Sequence, residues 1–137
     1  MNKDALVSQL IMDEGERLYP YKDTVEKWTI GVGRNLTDVG VSREESAFML
    51  NNDLLHVEAS LNHLLPWWVK LPESAQQGLA NMCFNLGITG LMQFHLTLAH
   101  LEQGQFSEAA TSVLDSKWAK QVGARAVRIA NQFKGEG

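Results

Sequence analysis

At 137 residues the chain is the size of one domain, able to bury roughly two thirds of the surface its unfolded form exposes. An apolar content of 45% with 20% charged residues suits a globular protein, and no apolar run is long enough to span a membrane. The net charge of −4, without cations interleaved with aromatic residues, excludes an ordinary nucleic-acid binder.

The first predicted element is a helix from Asn2 to Glu14. Leu6, Val7, Leu10 and Ile11 recur at helical spacing, Asn2 suits the N-cap, and Gly15 stops the helix. Asp4, Ser8 and Gln9 interrupt any charged-then-apolar leader, so the chain is expected to be made in, and to stay in, the cytoplasm until something releases it. From Leu18 to Gly33 the texture changes to Tyr, Thr, Val, Trp and Ile with turn residues between, which reads as a hairpin turning around Asp23 to Glu26. Arg34-Asn35-Leu36 is expected to add a short third strand, followed by a loop at Thr37 to Gly40.

Ser42 followed three residues later by Glu45 forms a capping box. The helix it starts should run to about His63 and be apolar over a broad arc. Pro66 breaks it. Pro66-Trp67-Trp68 then reads as a kinked connection, its tryptophans plugging a junction or, as the alternative, stacking on sugar rings. Glu73 to Leu86 is the most uniformly apolar helix and should be buried, with Gly87 ending it and Thr89-Gly90 turning the chain. Further helices are predicted at Leu91 to Gln103, at a short segment capped by Ser107, at Ser116 to Gln121 and at Gly123 to Phe133. The tail Gly135-Glu136-Gly137 is expected to fray. Cys83, the only cysteine, cannot form an internal disulfide and reads as a small buried hydrophobe.

Two carboxyls stand out. Glu14 ends a helix, where the partial negative charge of the helix terminus disfavours another negative charge and suits a side chain that carries a proton. Asp23 lies across the hairpin among polar neighbours. One protonated and one ionised carboxyl flanking a cleft are what glycoside hydrolysis requires. Taken alone, the pair reads first as two ordinary exposed carboxylates, and only the wider context favours the catalytic reading. Thr29 reads as a β-branched strand residue. Asn81 and Asn85 on the apolar helix are expected to face a cleft floor, with Trp118 close by. The alternative for Asn85 is an amide bonded to a neighbouring loop.

Glu14-Gly15, Tyr21-Lys22-Asp23-Thr24 and Thr29-Ile30-Gly31-Val32-Gly33 together resemble the N-terminal signature of the phage-type lysozymes, glycoside hydrolase family 24. The signature is Glu, eight residues, Asp, five residues, Thr, and the chain keeps that spacing. Asn81 to Gly90 resembles the family's central helix and its turn, and Ser116-Lys117-Trp118 with Gly123 to Arg128 resembles its C-terminal helices. The resemblance implies a lysozyme-like α+β fold in one catalytic domain. It would have a small hairpin lobe at about 15–60, a helical lobe at about 1–14 and 61–137, and the first helix packed on the helical lobe.

The implied function is a peptidoglycan muramidase, an endolysin that cuts the β-1,4 bond between N-acetylmuramic acid and N-acetylglucosamine with inversion. In that role Glu14 is the general acid and Asp23 activates a water that Thr29 helps to hold. Arg125 matches a family arginine paired with the catalytic Glu, and Asn81, Asn85 and Trp118 support the substrate site. No cofactor is implied, and a monomer is expected, without nucleic acid or stable membrane insertion.

Three departures from the family pattern are visible. Arg34 replaces the His of the T-even phage members, the link between the hairpin and the Ser42 helix is much shorter, and the chain is acidic. Only residues 117–137 are strongly basic, with Lys117, Lys120, Arg125, Arg128 and Lys134 against Glu136. His56 and His63, and His95 and His100, are too widely spaced for a metal pair, and Gly31-Val32-Gly33 lacks the context of a phosphate loop. Two rival functions remain: a wall-binding or virion module without turnover, and a lytic transglycosylase. The presence of Asp23 and Thr29 argues against the second, which can dispense with the second carboxylate.

Overall fold

Asn2 starts the first helix: its Oδ1 accepts the amide hydrogen of Ala5 at 3.0 Å, satisfying one of the donors a helix start leaves free. The helix, α1, runs Lys3–Glu14, and the amide of Gly15 closes it on the carbonyl of Ile11. The description rests on a computed structural model and covers residues 1–136. Contacts divide the chain into two compact units, Met1–Met49 and the residues from Leu50 onward.

The first unit holds α1, a three-stranded antiparallel sheet and the start of α2. Strands β1 (Arg17–Lys22), β2 (Trp28–Gly31) and β3 (Arg34–Asn35) lie in the order β1-β2-β3, so the expected third strand forms. Tyr21 pairs with Thr29 and Lys22 with Trp28, while the register slips between Arg17 and Tyr21. Pro20 lies in that slipped stretch, on an edge strand, where its missing N–H costs no ladder bond. The Arg17 guanidinium sits 4.3 Å over the Tyr21 ring, and Lys22 Nζ is 5.3 Å from the centre of the Trp28 ring. α2 (Arg43–Leu64) begins with the capping box: Glu45 N–H donates to Ser42 Oγ at 3.1 Å, and Ser42 N–H donates back to Glu45 Oε1 at 2.8 Å.

Among residues 1–49 only Thr29 is buried. α1 buries none of its residues, and Phe48 and Met49 of α2 are exposed. Alternation and helical spacing are therefore present in this unit without an apolar core of its own.

The second unit holds the core. After α2 a 3-10 helix spans Pro66–Lys70, followed by α3 (Glu73–Leu91), α4 (His95–Glu102), α5 (Phe106–Leu114), α6 (Lys117–Val122) and α7 (Ala124–Phe133). Leu61, Leu79, Met82, Leu91, Leu101, Val113, Ile129 and Phe133 are fully buried in one cluster. Trp68 joins that cluster and its indole N–H donates to Asn62 Oδ1 at 2.7 Å, with Trp67 packed against the cluster. Trp68 is therefore a core residue of this unit, its one polar atom satisfied by Asn62.

Four expectations need correction. Gly87 does break the helix, with φ 74° and ψ 161°, but helical structure resumes beyond it to Leu91, so Thr89 and Gly90 do not turn the chain. Leu91 is fully buried at the end of α3, and a turn through Phe94, whose amide donates to the Leu91 carbonyl, delays α4 to His95. α5 starts at Phe106 rather than being capped by Ser107, because the Gln105 amide turns back onto the His100 carbonyl and sets the entry two residues earlier. At the end of α7 the amides of Gly135 and Glu136 donate to Gln132 and Asn131 carbonyls, a Schellman closure that ties down residues expected to fray. Gly137 lies outside the described residues.

The core predicts a clear asymmetry. Leu79→Ala should lower stability by roughly 2–5 kcal/mol, the usual range for such a buried truncation. Leu18→Ala, at a site 77% exposed, should change it by no more than about 0.5 kcal/mol. Urea denaturation followed by circular dichroism measures both.

Candidate active site

Glu14 is the last residue of α1, and its side chain reaches the turn between β2 and β3. Its Oε2 lies 2.9 Å from the position that a Cβ on Gly33 would occupy. Within residues 1–49 no hydrogen bond or ion pair holds the Glu14 carboxyl.

Asp23 organises the β1–β2 turn. Its Oδ1 accepts the amide hydrogens of Val25 and Lys27, both at 2.9 Å, the backbone-mimicking use of a short carboxylate in a turn. Its own N–H donates to the Lys27 carbonyl at 2.9 Å. Glu26 completes the turn with φ 65°. Both side-chain bonds fall on Oδ1, so Oδ2 has no partner among the described residues. Thr29, 4% exposed, donates its hydroxyl hydrogen to the Lys27 carbonyl at 2.9 Å. Its oxygen keeps the capacity to accept. Lys27 thus links Asp23 and Thr29 through its backbone.

Arg34, the departure from the family pattern, has an ion pair of its own. Its Nη1 donates to Glu45 Oε1 at 2.7 Å and to the Gly40 carbonyl at 3.1 Å. The Arg34 hydrogen bond, and after it the Ser42 amide, pulls the Glu45 carboxyl from the usual 4.5 down to about 2. Asp38 is also held below the usual carboxylate value, by its bond from Asn35 first and then by Lys27. Neither pair was read from the sequence. The signal available was Glu45 in the capping box, whose carboxylate can accept from a second donor. A groove of about 600 Å³ is lined by Ile30, Val32, Arg34, Val41, Phe48 and Met49. Neither Glu14 nor Asp23 lines it.

In the second unit the expected supporting residues form two pairs along α3. Arg125 Nε donates to Asn81 Oδ1 at 2.9 Å, and Trp118 Nε1 donates to Asn85 Oδ1 at 2.8 Å. Trp118 is buried and meets Phe94 edge-on, with ring centres 6.0 Å apart. Trp118 is therefore close to Asn85, as expected, but α3 is not buried all round. Asn81, Phe84 and Asn85 lie on an exposed face, while Leu79, Met82 and Cys83 face the core. Asn81, Phe84 and Arg125 share a pocket of about 300 Å³ with Leu50, Leu54, Gln77 and Ala80.

No group of three or more His, Cys, Asp or Glu among the described residues could hold a metal ion, and no described helix is long and apolar enough to cross a membrane.

Comparison with known proteins adds a lineage to this geometry. The family model described as phage lysozyme matches residues 12–132. A Dictyostelium discoideum protein named "Probable T4-type lysozyme 2" is 26% identical, the match covering 95% of this chain and 94% of that protein. The "Pre-baseplate central spike protein Gp5" of Enterobacteria phage T4 is also 26% identical over 91% of this chain, which spans only 27% of that protein. The "SAR-endolysin" of Enterobacteria phage P21 is 29% identical over 70% of this chain and 59% of its own length.

The Arg34–Glu45 pair predicts a pH signature. Because the Glu45 carboxyl in the folded chain is depressed to about 2, the stability it lends is complete above pH 4.5 and is lost as the pH falls from there towards 2. Melting temperature should therefore fall more steeply across that window in the unaltered protein than in Glu45→Gln. High salt should narrow the difference, since the pair is half-exposed and screened.

Proposed function

The chain belongs to the phage lysozyme family, and from that premise we propose that Glu14, Asp23 and Thr29 carry out single-displacement hydrolysis of peptidoglycan. Membership makes it a glycosidase of the lysozyme type with a lytic role. The proposal specifies the bond, the residues and the stereochemistry. The observation that carries it is the match across residues 12–132, which includes the whole Glu, Asp, Thr spacing on α1 and the sheet.

The bond cut is the β-1,4 link between N-acetylmuramic acid and N-acetylglucosamine. Glu14 delivers its proton to the glycosidic oxygen as the bond to the anomeric carbon breaks. A water attacks that carbon from the opposite face and gives its proton to Asp23 Oδ2, the oxygen that the turn leaves free. Thr29 accepts a hydrogen bond from this water, because its own hydrogen is engaged by the Lys27 carbonyl. A fixed acceptor orients the water's lone pair towards the sugar. Arg125, Asn81, Asn85 and Trp118 support the binding of the glycan. The enzyme works as a monomer in one catalytic domain, without a cofactor, and reaches the wall by release from the cytoplasm, free or associated with a virion.

Glu14→Gln keeps the shape of the side chain and removes the proton. Wall lysis, followed as loss of turbidity of permeabilised Gram-negative cells, should fall by roughly 10²–10⁴-fold, the range that acid–base catalysis supplies. The fold should persist. Lysis close to that of the unaltered enzyme would remove Glu14 from the mechanism.

Inversion requires room for a water, which sets the two carboxyls roughly 6.5–9.5 Å apart, against about 5 Å where a covalent intermediate forms. The first sugar product should therefore be the α-anomer, observed by NMR before mutarotation. A β-anomer, or an adduct on Asp23, would assign a double displacement. An anhydro product in mass spectrometry would assign a transglycosylase.

A further inference from the structure

Two glycines flank Val32, and the backbone needs both. Gly31 has φ 67° and Gly33 has φ 69°, a region where a side chain collides with its own backbone. Beyond that shared reason the two positions differ. A Cβ built on Gly31 would meet nothing within 4 Å. A Cβ on Gly33 would lie 2.9 Å from Glu14 Oε2, 3.3 Å from its Cδ and 3.4 Å from its Cγ. Backbone conformation alone therefore explains Gly31, and it leaves the second constraint at Gly33 unexplained.

We propose that Gly33 is a positioning residue for Glu14: the side chain it lacks is the seat of the Glu14 carboxyl. The inference rests on the reading of Glu14 as the general acid. An acid must offer its proton to the leaving oxygen, and strong donors bound to its carboxyl would favour the ionised form instead. Within residues 1–49 no donor holds the Glu14 carboxyl. Steric seating supplies direction without a hydrogen bond. Oε2 sits in the space that a Cβ at residue 33 would fill, so the bare backbone admits this placement of the carboxyl and a side chain there would exclude it. A methyl group at residue 33 would displace the carboxyl from this seat. A misplacement on the order of 1 Å can cost a catalytic group about 10²-fold in rate.

The test compares Gly33→Ala and Gly31→Ala, with Glu14→Gln beside them. The two alanine variants place a side chain at closely similar positive φ, and only Gly33→Ala meets the carboxyl. On soluble peptidoglycan fragments, kcat of Gly33→Ala should fall about 10²-fold below that of Gly31→Ala, with KM little changed. Equal kcat in the two variants, or a loss confined to KM, would overturn the proposal. An active Glu14→Gln would overturn it too, by removing the reading beneath it.

A double-mutant comparison of thermal stability keeps the test decisive if Gly33→Ala folds poorly. In a Glu14→Ala background the seat is empty. There Gly33→Ala should lower the melting temperature no more than Gly31→Ala does, whereas with Glu14 present it should lower it further. A penalty that is the same in both backgrounds would show that no contact with Glu14 is at stake.

Discussion

Asp23 Oδ1 gathers two amide hydrogens, from Val25 and Lys27, at 2.9 Å each, and this closure sets the register of a sheet that has little else to set it. In most half-buried sheets a one-residue slip would expose the apolar face, so burial fixes the pairing. Here Thr29 is the only buried residue of the first 49, and burial offers no such control. The turn does the work in its place: it pairs Lys22 with Trp28 and Tyr21 with Thr29. Thr37 Oγ1, which accepts from the Trp28 amide at 2.9 Å, and the Arg34–Glu45–Ser42 cluster hold the other side. The same carboxylate thus shapes the turn through one oxygen and leaves the other to the role proposed for it. For this reason Asp23→Asn is the informative replacement: it keeps an acceptor for the two amides while removing the proposed base. Asp23→Ala would remove the turn as well.

Local polar chemistry was legible in the sequence wherever one side chain meets the backbone a few residues away. Asn2 with Ala5 and Ser42 with Glu45 appear as read, as do the stops at Gly15 and Gly87. The starts of α4 and α5 were misplaced because nothing at residues 91–94 or 104–106 advertises a cap. Those boundaries follow from backbone turns and from the burial of Leu91, which depends on partners distant in sequence. The spacing of Glu14, Asp23 and Thr29 was legible only through the family it resembles. The seat at Gly33 was not legible at all, since a second reason for a glycine hides behind the first.

The helical unit shows how one element serves two environments. Along α3, Leu79, Met82 and Cys83 point into the core, and Asn81 and Asn85, four residues apart, lie on the opposite, exposed side. Composition averaged over the helix made it look apolar throughout. Each exposed amide nevertheless takes a specific donor: a guanidinium for Asn81 and an indole for Asn85. Both donors come from the last two helices, and α7 is also the element that packs most closely on α3. A Cβ on Gly78 of α3 would approach the Phe133 ring to 3.1 Å. The polar pairs and the close core contact therefore fix the same helix against the same part of the chain.

Cys83 lies within that tightly packed stretch, 2% exposed, and burial pushes its thiol pKa up. Both facts suppress the thiolate, the form that alkylating reagents attack. As the only sulfhydryl of the chain, it reacts slowly while α3 stays packed and faster when α3 parts from its neighbours. Its labelling rate is therefore a clock for opening of the helical unit, built into the protein without any added probe.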